Sequence, residues 1–246
     1  MHETQPLSIV TTVLLAAAAC GGEPSVTCGA TRAALFHGSP DSGELALRPD
    51  QERAIGVLED RVSREPLCTL TLIAPGYALS AAHCAATPGA MVRWPGVANV
   101  HEFRWEALHD NFDVGILAFA EDNADAEPLP LHDAIDDSWL DTKVTLAGLG
   151  VTETGSSGEL RFVDEQITKL TETEIWVDGR GKSGACAGDS GGPLLVRDAE
   201  GAIRVAGILD RGSPSCTGLD VYTRADRLLN WVHDTVDADA ANANCE

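Results

Sequence analysis

Short apolar runs, each closed off by turn-forming residues, recur along most of this 246-residue chain, and that pattern restricts it to folds built from many short strands. Leu70, Leu72 and Ile73 precede the turn pair Pro75-Gly76, and Tyr77-Ala78-Leu79 follows, which reads as a hairpin leading to His83. Further runs cover 114–119, 144–149, 175–177, 194–196 and 205–209, a spacing that suits a barrel or a sandwich. Only over 225–236 do Leu228, Leu229, Val232 and Val236 fall at helical spacing, with Trp231 beside them. The expected class is therefore all-β, with one C-terminal helix and a polar tail. No internal period or long flexible linker divides the chain, so 35–246 reads as one domain, large enough for a sizeable core.

The formal net charge of −21 is spread along the domain, with no lysine or arginine run able to neutralise a phosphate backbone. Nucleic acid is excluded as a partner. The seven histidines show neither a His-Glu-x-x-His pattern nor zinc-ligand spacing, so no metal and no other cofactor is expected. An apolar run over 7–19 is too short to span a bilayer and ends in small residues, so 1–19 reads as a signal peptide and the protein as exported. Leu14-Leu15-Ala16-Ala17-Ala18-Ala19-Cys20 also resembles a bacterial lipoprotein signal, in which the cysteine carries lipid and anchors the protein to the cell envelope. Cysteine arithmetic agrees: without Cys20, the remaining Cys28, Cys68, Cys84, Cys186, Cys216 and Cys245 can pair completely. Simple secretion, with Cys20 lost or one thiol free, stays open. Residues 20–34 are small and polar and read as a tether or propeptide.

The segment Cys186-Ala187-Gly188-Asp189-Ser190-Gly191-Gly192-Pro193 carries the most chemical information. A serine hydroxyl needs a base to become nucleophilic, and the oxyanion of acyl transfer needs donors held in place beforehand. Glycines around the serine let the backbone turn tightly, so that the amides of Gly188 and Ser190 can converge on one point. By average residue frequencies, the six-residue core Gly-Asp-Ser-Gly-Gly-Pro arises by chance in about one such chain in ten thousand or fewer. The same segment also fits the Gly-x-Ser-x-Gly elbow of α/β hydrolases, but 193–196 reads as a strand rather than the helix that fold requires, and His233 is the one later histidine.

With Ser80-Ala81-Ala82-His83-Cys84 and Asn111-Phe112-Asp113-Val114-Gly115-Ile116-Leu117 upstream, the chain resembles the chymotrypsin-like serine proteases over about 35–236, in the order His, Asp, Ser. The resemblance implies two packed six-stranded antiparallel β-barrels, an active site in the cleft between them, and a monomer acting on polypeptide substrates. It also implies Ser190 as nucleophile, His83 as base, Asp113 as the group that orients the histidine, and an oxyanion hole at Gly188 and Ser190. The same template pairs Cys68 with Cys84 and Cys186 with Cys216, leaving Cys28 and Cys245 to each other by exclusion. It makes Asp189 the partner of a freed amino terminus, so the full chain is expected to be a weakly active zymogen until cleavage near Arg32-Ala33 or Ala34-Leu35.

Three departures bear on that template. Leu35-Phe36-His37-Gly38 stands where Ile-Val-Gly-Gly is usual, Asp210-Arg211-Gly212 replaces Ser-Trp-Gly on the substrate strand, and the loop after Cys216 is short. The pocket implied by the resemblance involves Gly184, Ala185, Asp210, Gly212 and Asp220. Gly184 carries no charge where trypsin-like members have an aspartate, whereas Asp220 falls on the opposite wall and could supply a relocated carboxylate for Arg or Lys before the cleaved bond. Alternatively Asp220 is a solvated turn residue and the pocket is neutral. A protease-like binding module with little activity also stays open, because the amino terminus and substrate strand are altered.

Overall fold

The computed structural model describes residues 35–97, 100–120, 123, 125–154 and 156–243. The expected signal peptide at 1–19, the tether at 20–34 with Cys20, and the expected pair Cys28 and Cys245 lie outside the described residues. The amino-terminal half contributes β1 (Ile55–Asp60), β2 (Pro66–Ala74), β3 (Tyr77–Ser80), β4 (Ala90–Arg93), β5 (Val100–His101), β6 (Arg104–Leu108) and β7 (Gly115–Ala118). The second half contributes β8 (Lys143–Gly148), β9 (Arg161–Leu170), β10 (Glu174–Asp178), β11 (Pro193–Arg197), β12 (Ile203–Arg211) and β13 (Leu219–Arg224). A single turn, α1 (Pro49–Glu52), precedes the first strand and α2 (Leu229–Ala243) ends the described chain.

Strands β8 to β13 form a closed six-stranded antiparallel barrel in the order β10-β13-β12-β11-β8-β9, as expected. Its interior is filled by alternate residues such as Val144, Leu146, Ile167, Ile175, Val177, Leu194 and Tyr222, the period-two burial of strands with one face inward. The first half departs from the expected second barrel: its strands form a seven-stranded sheet, β5-β4-β1-β2-β3-β7-β6, whose outer members do not pair with each other. Among the described residues β5 has two, too few backbone groups to complete a closing ladder against β6. The two halves share a core, because Ile203, Val205 and Ile208 of β12 pack with Leu72, Leu79, Leu129 and Leu131.

Strand β2 shows why the halves hold together. Residues 68–73 are buried without interruption, since Leu70 and Leu72 enter the core while Thr69, on the opposite face, contacts loops of the second barrel. The expected hairpin from β2 to β3 forms at Pro75-Gly76, with Gly76 at a φ of +75° that only glycine adopts without strain. The terminal helix runs seven residues beyond the expected 236, so the polar tail is helical at least to Ala243. Alanines favour that extension, and Asp239 fastens it, accepting from Tyr77 Oη at 2.8 Å and from Arg104 at 2.6 Å. Among the described residues no helix is long and apolar enough to cross a membrane.

Candidate active site

His83 lies on a single 3-10 turn, 82–86, directly after β3, and Asp113 lies in the bend between β6 and β7. The pairing of β3 with β7 sets Ser80 opposite Gly115, so residues just past the ends of both strands meet. Asp113 then binds His83 twice: Oδ1 accepts from the backbone N–H at 2.8 Å and Oδ2 lies 2.5 Å from Nδ1. An ionised carboxylate is acceptor only, so the Nδ1 proton is the donor and Nε2 is left as the basic nitrogen. The hydrogen bond to Asp113 raises the His83 pKa above its ordinary value, against the opposing effect of burial, and Asp210 adds to the rise. Burial raises the Asp113 carboxyl, but the contacts with His83 outweigh it and the net direction is down. The turn is anchored by the disulfide from Cys84 to Cys68 of β2. The ligand-type atoms of Cys68, His83 and Cys84 lie within 4.8 Å of one another, but the two sulfurs are bonded together and are not thiolate ligands.

His109 was not legible as part of this site. Its Nδ1 accepts the backbone N–H groups of Asn111 at 3.1 Å and Phe112 at 3.2 Å, which shapes the bend holding Asp113. The ring also packs edge-on against Trp231 of α2, with centroids 4.9 Å apart.

Ser190 lies in the loop before β11, and each peptide carbonyl from 187 to 190 is held by a partner. Val151 N–H donates to Ala187 O at 3.3 Å, Thr69 Oγ1 to Gly188 O at 3.0 Å, Gly192 N–H to Asp189 O at 2.8 Å, and Thr69 N–H to Ser190 O at 2.9 Å. In a trans peptide the N–H points opposite to the C=O, so these bonds also aim the amides. Those of Gly188 and Ser190 have no acceptor among the described residues. Gly188 has a φ of +91°, and a Cβ on Gly191, at +81°, would fall 2.2 Å from Ser80 Oγ. Both positions therefore require glycine.

Asp189 is fully buried and accepts three backbone N–H groups: Leu35 at 2.8 Å, Cys186 at 2.9 Å and Gly150 at 3.0 Å. Burial pushes its pKa up to about 6 despite those donors. Gly148 and Gly150 make room for it, since a Cβ on Gly148 would lie 2.1 Å from Oδ1. Leu35 is itself buried, and Phe36 N–H donates to Gly184 O at 2.8 Å, so the segment at the head of the domain is threaded into the second barrel.

Asp220 is fully buried within β13, which rules out the solvated turn residue. Its Oδ2 accepts from Ala185 N–H at 2.6 Å and its Oδ1 from Ser213 N–H at 3.1 Å, so the carboxylate bridges the two glycine-containing segments expected to wall the pocket. A Cβ on Gly184 or Gly212 would come within 3.0 Å of its oxygens. Burial raises its pKa to about 6. The disulfide from Cys186 to Cys216 ties these walls together. Behind Gly184, Ser183 donates to the buried Glu165 at 3.2 Å, and burial holds that carboxyl at a pKa of about 8. On β12, expected to be the substrate strand, Arg211 pairs with Asp210 and with Glu174 at 2.8 Å, and its guanidinium lies 5.6 Å from the ring centroid of Trp176.

The sequence model of the Trypsin family matches residues 48–232, and the chain belongs to that family of serine endopeptidases. It is 26% identical to the fibrinolytic enzyme isozyme C of Lumbricus rubellus, over 78% of this chain and 95% of that protein. Brachyurin of Leptuca pugilator is 28% identical over 67% of this chain and 85% of its own length. Melanization protease 1 of Drosophila melanogaster is 31% identical over 41% of this chain, and the match spans 30% of that longer protein.

Proposed function

We propose that this chain hydrolyses peptide bonds through an acyl-enzyme on Ser190, with His83 as general base and Asp113 as the group that orients it. The observation that carries this reading is the double hydrogen bond of Asp113 to His83, which holds the proton on Nδ1 and leaves Nε2 free to take one. Ser190 Oγ attacks the scissile carbonyl carbon as its proton passes to Nε2, and the oxyanion is received by the N–H groups of Gly188 and Ser190. Collapse expels the amine, which leaves with the proton from His83; water then repeats the sequence on the ester and frees the acid. Casein turnover by purified Ser190→Ala should fall at least a thousandfold while its circular dichroism stays unchanged. Turnover within tenfold of wild type would refute the assignment.

For specificity, Asp220 is the carboxylate that receives an Arg or Lys side chain before the cleaved bond. Its burial supports this: two amide donors leave it without a countercharge, and a guanidinium or ammonium supplies one. Peptide-library profiling of wild type against Asp220→Gly tests the idea, and a basic preference that survives the substitution would end it.

Activation follows cleavage between 34 and 35, because the nitrogen that would become the new α-amine is the one 2.8 Å from Asp189. Export rests on the 7–19 run and lipid attachment on Cys20; an acyl mass on that residue in the mature protein is the required observation.

A further inference from the structure

Thr69 is a threonine with every polar atom engaged in a site built otherwise from loops. It is fully buried on β2, the strand that also carries Cys68, the disulfide partner of the residue next to His83. Its N–H donates to Ser190 O at 2.9 Å, and its carbonyl accepts from Ser80 Oγ at 2.6 Å. Its hydroxyl does two things at once, donating to Gly188 O at 3.0 Å and accepting from Leu149 N–H at 3.1 Å. A hydroxyl has one proton to give and lone pairs to receive, so both roles are satisfied together without competition.

We infer that Thr69 is the positioning residue of the oxyanion hole, an inference that rests on the acyl-enzyme reading of Ser190. The two hole amides belong to the peptides 187–188 and 189–190, whose carbonyls are held by Val151 and Gly192. The intervening peptide, 188–189, has its carbonyl on Thr69 Oγ1, and the peptide after Ser190 has its carbonyl on Thr69 N. The 188–189 peptide is thus held at both ends, its carbonyl by the hydroxyl at 3.0 Å and its N–H by Cys186 O at 3.1 Å, and the angle between the two hole amides depends on how it is turned. Gly188, with its φ of +91° and no side chain, has little intrinsic stiffness to hold that angle. Leu149, the acceptor-side partner, directly precedes the Gly150 whose amide binds Asp189, so the same hydroxyl joins the hole to the activation contact. Thr69 belongs to the half of the molecule that carries His83, as does Ser80, while its other partners, Gly188, Leu149 and Ser190, belong to the half that carries Ser190. It therefore sets the register between base and nucleophile.

Thr69→Val keeps the shape and removes the hydroxyl, leaving Gly188 C=O and Leu149 N–H without their partner. The matured enzyme should be compared as wild type, Thr69→Val and Thr69→Ser, with active sites counted by endpoint titration with a fluorophosphonate. For Thr69→Val, kcat per titrated site and affinity for a peptide boronate should both fall roughly ten- to hundredfold, with KM unchanged, as expected when amide donors drift from the developing charge. Thr69→Ser should restore both to within about threefold, because it restores the hydroxyl. If Thr69→Val does not fold, Thr69→Ala makes the same comparison with less steric risk. A wild-type kcat per site and boronate affinity in the hydroxyl-free variant, with only the melting temperature lowered, would overturn the inference and leave Thr69 a structural residue. A KM effect with kcat unchanged would overturn it as well. Failure of the wild type itself to react with the fluorophosphonate or to cleave peptides would instead remove the acyl-enzyme reading.

Discussion

At the residue scale the chemistry depends on where carboxylates are placed and what they accept from. Asp113 is half-buried and fixes the tautomer of His83, so Asp113→Asn should lower kcat by roughly the ten-thousandfold known for this change in the family's triad. The same substitution removes the main cause of the raised His83 pKa, so the acid limb of the pH–rate profile should move to lower pH. An unmoved limb would mean that Asp113 does not govern the base. Asp220 makes a separate pH prediction. Its carboxyl titrates near 6, so the ratio of kcat/KM for an Arg substrate to that for a Leu substrate should rise as pH increases through 6, with His83 cancelling from the ratio. A flat ratio would show that Asp220 does not contact the substrate's cation.

At the element scale, α2 is more than a terminal cap. It presses Trp231 on His109, whose ring nitrogen shapes the aspartate bend, and its last turns are tied by Asp239 to Tyr77 and Arg104. Burial, and then Asp239, raise the Tyr77 phenol to about 12. Asp239→Ala should therefore bring the Tyr77 titration down in an ultraviolet pH titration and cost roughly 1 kcal/mol in urea unfolding, without changing kcat. An unchanged phenol titration would mean that the helix end does not hold this contact in solution.

For the whole molecule, the proposed activation would couple chain cleavage to stability through the contact of the Leu35 nitrogen with Asp189. The Asp189 pKa in the uncleaved fold is about 6, above its ordinary 3.8, so the folded state binds this proton more tightly than the unfolded one. That contribution is full below 3.8 and is lost as pH rises through 6. The proposed cleavage before Leu35 would turn the amide nitrogen now 2.8 Å from Asp189 into an ammonium, which would favour the ionised carboxylate and remove the loss. In the Ser190→Ala background, the melting temperature of the cleaved form minus that of the uncleaved form should increase between pH 4 and about pH 7. Glu165 is common to both forms, and Asp220, whose carboxyl is raised in part by Asp189, responds to the same positive charge in the same direction. A difference independent of pH would contradict the pairing.

Much of this was legible in the sequence because it is local. The β2–β3 hairpin, the strands after residue 143 that begin as apolar runs, and the three triad motifs are each written in a few consecutive residues. What was not legible is tertiary. Strand β9 mixes charged and apolar residues without strict alternation and resembles a surface segment until the barrel closes on it. Strand β6 and the open edge of the first sheet depend on pairings far along the chain. Thr69 and Gly150 act through hydrogen bonds to residues far along the chain, and His109, whose hydrogen bonds are local, is packed by Trp231 of the distant α2; no spacing in the sequence marks them. Asp220 was legible as a pocket candidate, but its complete burial was not.

The central claim is that Ser190 is a nucleophile activated by His83. The most direct measurement is mass spectrometry of the matured protein after treatment with a fluorophosphonate, alongside His83→Ala. The account predicts one phosphonyl group per molecule, on the peptide containing Ser190, with peptide hydrolysis lost in proportion and labelling slowed at least a thousandfold in His83→Ala. Hydrolysis that persists after full labelling of Ser190, or labelling equally fast without His83, would contradict it.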